Sequence, residues 1–368
     1  MTIWRWTSGF ETVPGHAQFS LGEGNTPLIR SRRLGPQVGL ENLYFKLESC
    51  NPSGSYKDRF AAGAVSHMLA AGQERCVATT SGNTGSALAA YCAAAGVECY
   101  IAILEKTPIG KVQQMLSYGA KVLRVERFGL DPRVDATVVE TLQRLGQRDD
   151  TALQISAFIH SPLGMSGVRT ISFELAEQCD RSIDHVFTPA GGGGLTLAVA
   201  GGFLHLAAEG RIDRSPRVEC VQPEGNDTMA GPLRDGEERG RDVVTTSLIS
   251  GLQVANVLDG HDTISACRET GGTGHVVSDE HIWEVQRRLA REEGIFCEPA
   301  GAAATAGVLQ AREAGIISDD ATVVSLITGT GFKDPAAVER MIADANCDLI
   351  GIQELEDRMT SQSKESKR

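Results

Sequence analysis

The sequence predicts an α/β fold built from two domains, each with a largely parallel sheet flanked by helices. Three observations carry that prediction. Short β-like runs alternate with helix-like runs along most of the chain, the pattern of strands joined by crossover helices. The 368 residues suggest two domains at roughly 100–200 residues each. Apolar residues make up 41% and charged residues 22%, enough for a sizeable core and too apolar for global disorder.

Taken in order, residues 43–47 read as a strand. Residues 60–71 read as a helix, with Phe60, Ala64, Val65, Met68 and Leu69 on one face. A strand at 76–79, an Ala-rich helix at 85–95, a strand at 99–104, a helix at 110–118 and a strand at 121–125 follow. The alternation resumes with strand 185–188, helix 195–208 and strand 218–222, then helices 279–293 and 301–314 and strand 322–326. A smaller domain over 41–160 and a larger one over 1–40 plus 161–358 are expected. Residues 359–368, ending in the low-complexity stretch TSQSKESKR, are expected to be a disordered tail. The stretch beyond Lys333 is too short for an appended regulatory domain of about 70–80 residues.

Composition excludes several classes. A net charge of −12 argues against a broad nucleic-acid or anionic-membrane surface. The start lacks a basic segment followed by an apolar run, and Glu98 and His205 interrupt the longest apolar stretches; no targeting or membrane-spanning segment is expected. The nine cysteines are scattered without a Cys-x-x-Cys, which favours reduced thiols in a cytoplasm. Neither His nor Cys shows close ligand spacing, so no zinc site is expected. Glycine, at 41 residues without a collagen-like repeat, suggests tight turns and close backbone approach to a ligand.

Four segments carry chemistry. There are only eight lysines, none between Lys121 and Lys333. Lys57 stands in Asn51-Pro-Ser-Gly-Ser-Tyr-Lys-Asp-Arg59, a turn-rich approach to a helix. The positive end of the helix dipole disfavours a protonated amine there, and a neutral amine is what Schiff-base chemistry needs; the local sequence equally suits a solvated surface lysine. Thr79-Thr-Ser-Gly-Asn-Thr-Gly85 lies between a strand and a helix. Ser81 or Asn83 could simply cap that helix, or its free N–H groups could hold a carboxylate. Thr188-Pro-Ala-Gly-Gly-Gly-Gly-Leu195 is again strand to helix. It lacks the Gly-Lys-Ser/Thr of a triphosphate loop, and Thr196 breaks Gly-x-Gly-x-x-Gly; it suits a single phosphate group. Leu326-Ile-Thr-Gly-Thr-Gly-Phe-Lys-Asp334 is a strand end entering a glycine turn, a signal that turn chemistry alone also explains.

These segments, with Glu23-Gly-Asn-Thr-Pro-Leu28, Lys46-Leu-Glu48 and Glu293-Gly-Ile-Phe-Cys-Glu-Pro-Ala-Gly-Ala302, resemble the fold-type II pyridoxal-phosphate enzymes, and within them the threonine synthase-like branch. The resemblance runs in order over roughly residues 20–340, as expected of a motif set rather than one chance match. It implies pyridoxal 5'-phosphate in a cleft between two domains. It makes Lys57 the Schiff-base lysine and the base at Cα, places Asn83 on the ring hydroxyl, Gly191, Gly192, Gly193 and Gly194 around the phosphate, and Thr328 on the ring nitrogen. Ser81 and Thr84 would take the substrate carboxylate and Lys111 a substrate phosphate.

Two departures from the branch stand out. The four glycines replace a Gly-Asn-Ala-Gly-Asn pattern, and Gly164 stands where an ungapped alignment puts an arginine. The resemblance implies threonine formation from O-phosphohomoserine, with a serine/threonine dehydratase or β-replacement synthase as the alternative and a non-catalytic metabolite-binding relative as a remote one. The expected partner is a small amino-acid substrate, with no nucleic acid, no membrane, and a homodimer left open.

Overall fold

The computed structural model describes residues 2–6, 8–80, 82–107 and 109–361. Ten strands are arranged in two sheets: β1 (Leu28–Arg30), β2 (Leu43–Leu47), β3 (Arg75–Thr79), β4 (Glu98–Ile103), β5 (Lys121–Arg124), β6 (Thr151–Leu153), β7 (His185–Pro189), β8 (Arg217–Pro223), β9 (Gly274–Val277) and β10 (Val323–Ile327). The larger sheet has the order β1-β2-β10-β7-β8-β9 and the smaller one β5-β4-β3-β6. Every pairing is parallel except β1 with β2. Strands β7 and β10 are buried at all five positions, as expected for central strands covered on both faces. This is the predicted α/β class.

The expected boundary at residue 41 does not match the strand pairing. β2 lies beside β10 in the larger sheet, with Val323 opposite Leu43 and Ile327 opposite Leu47. An apolar run marks a strand but not its partner, and this partner lies about 280 residues away in sequence. Most expected strands and helices are found with ends shifted by one to three residues, the ordinary uncertainty of element ends. The long run read as 279–293 is an α-helix over Asp279–Arg288 followed by a π-helical turn, Leu289–Glu293. The three-residue strands β1 and β6 are too short to show a period, and in the helix Pro132–Leu145 only Leu142 is buried. At the end of the chain, residues 359–361 continue the helix Ile352–Ser361; the rest of the expected tail, 362–368, lies outside the described residues.

One large apolar cluster lies between the sheets and their helices. It joins Phe60, Val65 and Leu88 to Leu195, Val199 and Phe203. A second covers the other face of the larger sheet, where the helices Asp279–Arg288 and Pro299–Glu313 pack. Among the described residues no helix is long and apolar enough to cross a membrane. All nine cysteines are free thiols.

Candidate active site

The site begins with a buried ionic network beneath it. Arg59, two residues into the helix Lys57–Ala70, is fully buried. Its guanidinium bonds Glu48 at 2.8 and 2.8 Å and Glu174 at 2.7 and 2.7 Å. Lys46, on β2, donates to Glu174 at 2.7 Å, to the Thr26 carbonyl at 2.8 Å and to Gln178 at 2.7 Å. Thr26 and Asn51 complete Glu48 at 2.7 and 2.9 Å. Two cations thus face two carboxylates, and their remaining bonding capacity is met, which a buried charge requires. Burial alone would raise the Glu174 carboxyl, but Arg59 and Lys46 outweigh it and hold it below the usual range. The segments Glu23–Leu28 and Lys46–Glu48 therefore anchor the start of the Lys57 helix from behind.

Above this network opens a cleft of about 400 Å³. Lys57, Asn83, Thr84, Gly191, Gly192, Gly193, Gly194 and Thr328 all line it, so every sequence-selected site residue that can be assessed is brought to one place. Ser81 lies outside the described residues. The backbone of Lys111 belongs to the helix Ile109–Ser117, and its side chain also lies outside the description.

Lys57 is the first residue of its helix. Its Nζ donates to Ser156 Oγ at 2.7 Å, and Ser156 Oγ is 2.7 Å from Thr84 Oγ1. The amine also stands 4.5 Å from the centre of the Tyr56 ring. Burial lowers its pKa from 10.5 to about 7, against the pull of Asp259 and Glu298. Burial, rather than the helix dipole invoked from sequence, is the leading cause. At neutral pH a large fraction of this amine carries a free electron pair, so it can act as nucleophile or base.

The glycine loop follows β7 and runs into the helix Gly194–Ala208. Gly193 has φ +98°, and a Cβ there would meet Thr263 Oγ1 at 2.5 Å, so only glycine fits without strain. The carbonyls of Gly191, Gly192 and Gly193 accept bonds from Gln222, Asp259 N and Thr263 Oγ1. The loop is tied on its carbonyl side, and the first N–H groups of the helix that follows have no partner within the helix. Such a cradle fits a phosphate group.

Thr328 follows β10 and is buried. Its carbonyl accepts from Tyr56 N at 3.0 Å, joining the strand end to the residue before Lys57. Next to it, a Cβ at Gly329 would meet Glu298 Oε1 at 2.2 Å. That close approach lets Glu298 accept a 2.7 Å bond from Asn83 Nδ2. Asn83 therefore does not cap the helix Asn83–Ala95; its amide points across the cleft.

Sequence reasoning gave no role to Ser156, Asp259 or Glu298; Lys333 stands in the quoted Leu326–Asp334 segment, where it is the rival to Lys57 but follows the glycine turn. Glu298 lay within a quoted motif but was read only as part of the resemblance. Asp259 accepts from Phe158 N at 2.7 Å and Ile159 N at 3.0 Å while its own N–H holds Gly192 O at 3.0 Å. It ties the glycine loop to the segment after β6. Lys333 lines the same cleft, with its Nζ 2.6 Å from Gln114 Oε1; burial lowers its pKa. Gly164 lies elsewhere. A Cβ there would meet Ala64 and Phe60 at 2.9 Å, so this position is a close contact between helices and cannot carry an arginine side chain.

A buried amine at a helix start and a phosphate cradle at a second helix start, set between two largely parallel sheets, define an enzyme that works through pyridoxal phosphate. The chain belongs to the family described as pyridoxal-phosphate dependent enzymes, whose model matches residues 19–329. Its cofactor is pyridoxal 5'-phosphate. It is 33% identical to a threonine synthase of Methanocaldococcus jannaschii over 344 residues, 92% of this chain and 82% of that one. It is 35% identical to a threonine synthase of Methanosarcina acetivorans over 343 residues, covering 90% and 82%. Among solved structures it resembles threonine deaminase isoform 2 of Solanum lycopersicum, with TM-score 0.72, 22% identity and 88% of each chain covered. It also resembles maize serine racemase, with TM-score 0.69, 21% identity and 94% of each chain covered. These likenesses establish the fold-type II architecture.

Proposed function

We propose that the enzyme is threonine synthase-like, converting O-phosphohomoserine and water into threonine and inorganic phosphate. The observation that carries the phosphorylated substrate is the second amine of the cleft, on the half-buried Lys333. Lys333 stands with Lys57 in one cavity, and a cation there suits an anionic side chain. Identities of 33% and 35% to threonine synthases over about nine-tenths of the chain support the same reading.

Bound pyridoxal phosphate supplies an electron sink for negative charge developing at the substrate Cα. The glycine loop, Gly191 to Gly194, and the helix start behind it hold the cofactor's phosphate. Asn83 would take the ring hydroxyl and Thr328 the ring nitrogen. A hydroxyl at that nitrogen, rather than a carboxylate, would leave it largely unprotonated and make the sink a moderate one. Lys57 would hold the cofactor through its amine, and the same Nζ would take and return the substrate Cα proton. Its bond to Ser156 Oγ aims the Nζ, and Thr84 fixes Ser156 in turn. Ser81, Thr84 and the N–H groups beginning the helix Asn83–Ala95 receive the substrate carboxylate. Lys111 contacts the substrate phosphate.

A second reading, elimination or replacement at Cβ of an unphosphorylated amino acid such as serine or threonine, is favoured by a specific observation. Neither the four glycines nor the packed Gly164 provides a side-chain donor for a substrate phosphate. The discriminating experiment incubates holoenzyme separately with O-phosphohomoserine, O-phosphoserine, serine and threonine and identifies products by mass. Threonine and phosphate from O-phosphohomoserine are expected. A keto acid from serine or threonine, with O-phosphohomoserine untouched, would replace the first reading by the second.

A further inference from the structure

Cys76 on β3 and Cys99 on β4 are register partners in a parallel pair, so both side chains leave the sheet on the same face. The helix Asn83–Ala95 packs on these strands and carries Cys92. All three residues are buried, and their sulfurs lie within 4.8 Å of one another. The ligands come from two strands and a helix, so no close sequence spacing announces them.

We propose that Cys76, Cys92 and Cys99 form a three-coordinate, all-sulfur site for a soft d10 cation, copper(I) being the biological ion of that class. Three sulfurs each about 2.3 Å from a central ion stand about 4.0 Å apart, within the observed spread, so small side-chain adjustments close the shell. Among the described residues no carboxylate or imidazole joins the cluster. The three cysteines share their apolar cluster with Val65, Ala78, Leu88 and Ile101. Hard cations, which favour carboxylate oxygens, find no carboxylate there among the described residues, and a structural zinc ion would lack a fourth side-chain ligand of the usual kind. Sulfur-only coordination selects a soft ion. Binding forms copper–sulfur bonds from sulfur lone pairs and changes no oxidation state. Each thiol that ligates as thiolate releases its proton to solvent.

The site fastens a functional helix. Asn83 and Thr84 begin the helix that contains Cys92 and line the cleft, and β3 leads into it through residues 80–82. An ion shared by β3, β4 and this helix therefore stabilises the element that presents both residues.

The test uses holoenzyme in which the exposed Cys50 and Cys347 are replaced by serine. It is titrated with copper(I), without oxygen, against bicinchoninate as competing chelator. One copper per chain is expected to be retained, with a sulfur-only shell by X-ray absorption and a higher unfolding temperature, since a ligand of the native state stabilises it. Cys92→Ala and, separately, Cys99→Ala are expected to weaken retention by more than about a hundredfold while the copper-free variants still unfold cooperatively. The proposal is overturned if the parent protein holds no copper against the chelator, if its shell contains oxygen or nitrogen, or if both variants retain copper as the parent does. In those cases the three thiols act only as small apolar core residues.

Discussion

Lys57 combines a charge-forming group with a place that excludes water, and its pKa of about 7 has a consequence for stability. In the unfolded chain the amine returns toward its ordinary 10.5. Between those values the unfolded state binds the extra proton, so stability rises with pH across this window. The penalty for holding a buried cation is fully present below about pH 7. Cofactor-free Lys57→Met is therefore expected to be more stable than cofactor-free wild type at pH 6.5, the gap closing as pH approaches 10. Denaturant midpoints of both proteins across that range check it, and a gap independent of pH would contradict it. At Gly193 the constraint is conformational. With φ +98° and Thr263 Oγ1 2.5 Å from a Cβ, Gly193→Val is expected to lose cofactor on dialysis while remaining folded; full occupancy afterwards would show that the loop has another task. Lys111 reports on the substrate. If the substrate carries a phosphate, Lys111→Ala removes a charge-assisted contact worth about 1.5–3 kcal/mol, or roughly tenfold to a hundredfold in apparent affinity. Steady-state kinetics with O-phosphohomoserine measure it, and an unchanged KM would remove Lys111 from the site.

At the scale of elements, the described site residues other than Lys57 and Lys111 sit where a strand gives way to a helix or turn. Asn83 and Thr84 follow β3, the glycine loop follows β7, and Thr328 follows β10. These are the carboxyl ends of parallel strands, where ligands bind in open α/β sheets. That part of the site was legible because glycine runs and hydroxyls between apolar segments mark such junctions. Ser156 and Asp259 were not, because nothing local distinguishes them. Ser156 follows a three-residue strand, and Asp259 acts through backbone bonds to residues about a hundred positions away. The partnership of Arg59 with Glu48 and Glu174 was hidden for the same reason, since Glu174 lies on the helix Thr170–Gln178. This network locks the Lys57 helix to β2. Glu174→Gln leaves Lys46 and Arg59 short of a counter-charge, and breaking a buried pair costs about 3–5 kcal/mol. Chemical unfolding should show a loss of that size, whereas a loss below about 1 kcal/mol would mean the network is dispensable.

For the molecule as a whole, the cleft exists only because two sheets are joined. The larger sheet supplies the glycine loop and Thr328, and the strand-to-helix junction after β3 in the smaller sheet supplies Asn83 and Thr84. Asp259 and the Asn83–Glu298 bond cross between these parts. The chain carries a net charge of −12, yet this cavity gathers two of its eight lysines. Their presence together makes the choice of lysine the sharpest question about the molecule. Lys333 is half-buried in the cleft and has a lowered pKa, but its Nζ is committed to Gln114 and it follows the turn beyond Thr328. Among the described side chains, Lys57 has its amine beside Ser156 and Thr84. Borohydride reduction of the holoenzyme, followed by peptide mapping, fixes the cofactor to whichever lysine holds it. The label is expected on the peptide containing Lys57; a label on Lys333 would contradict the assignment of the site.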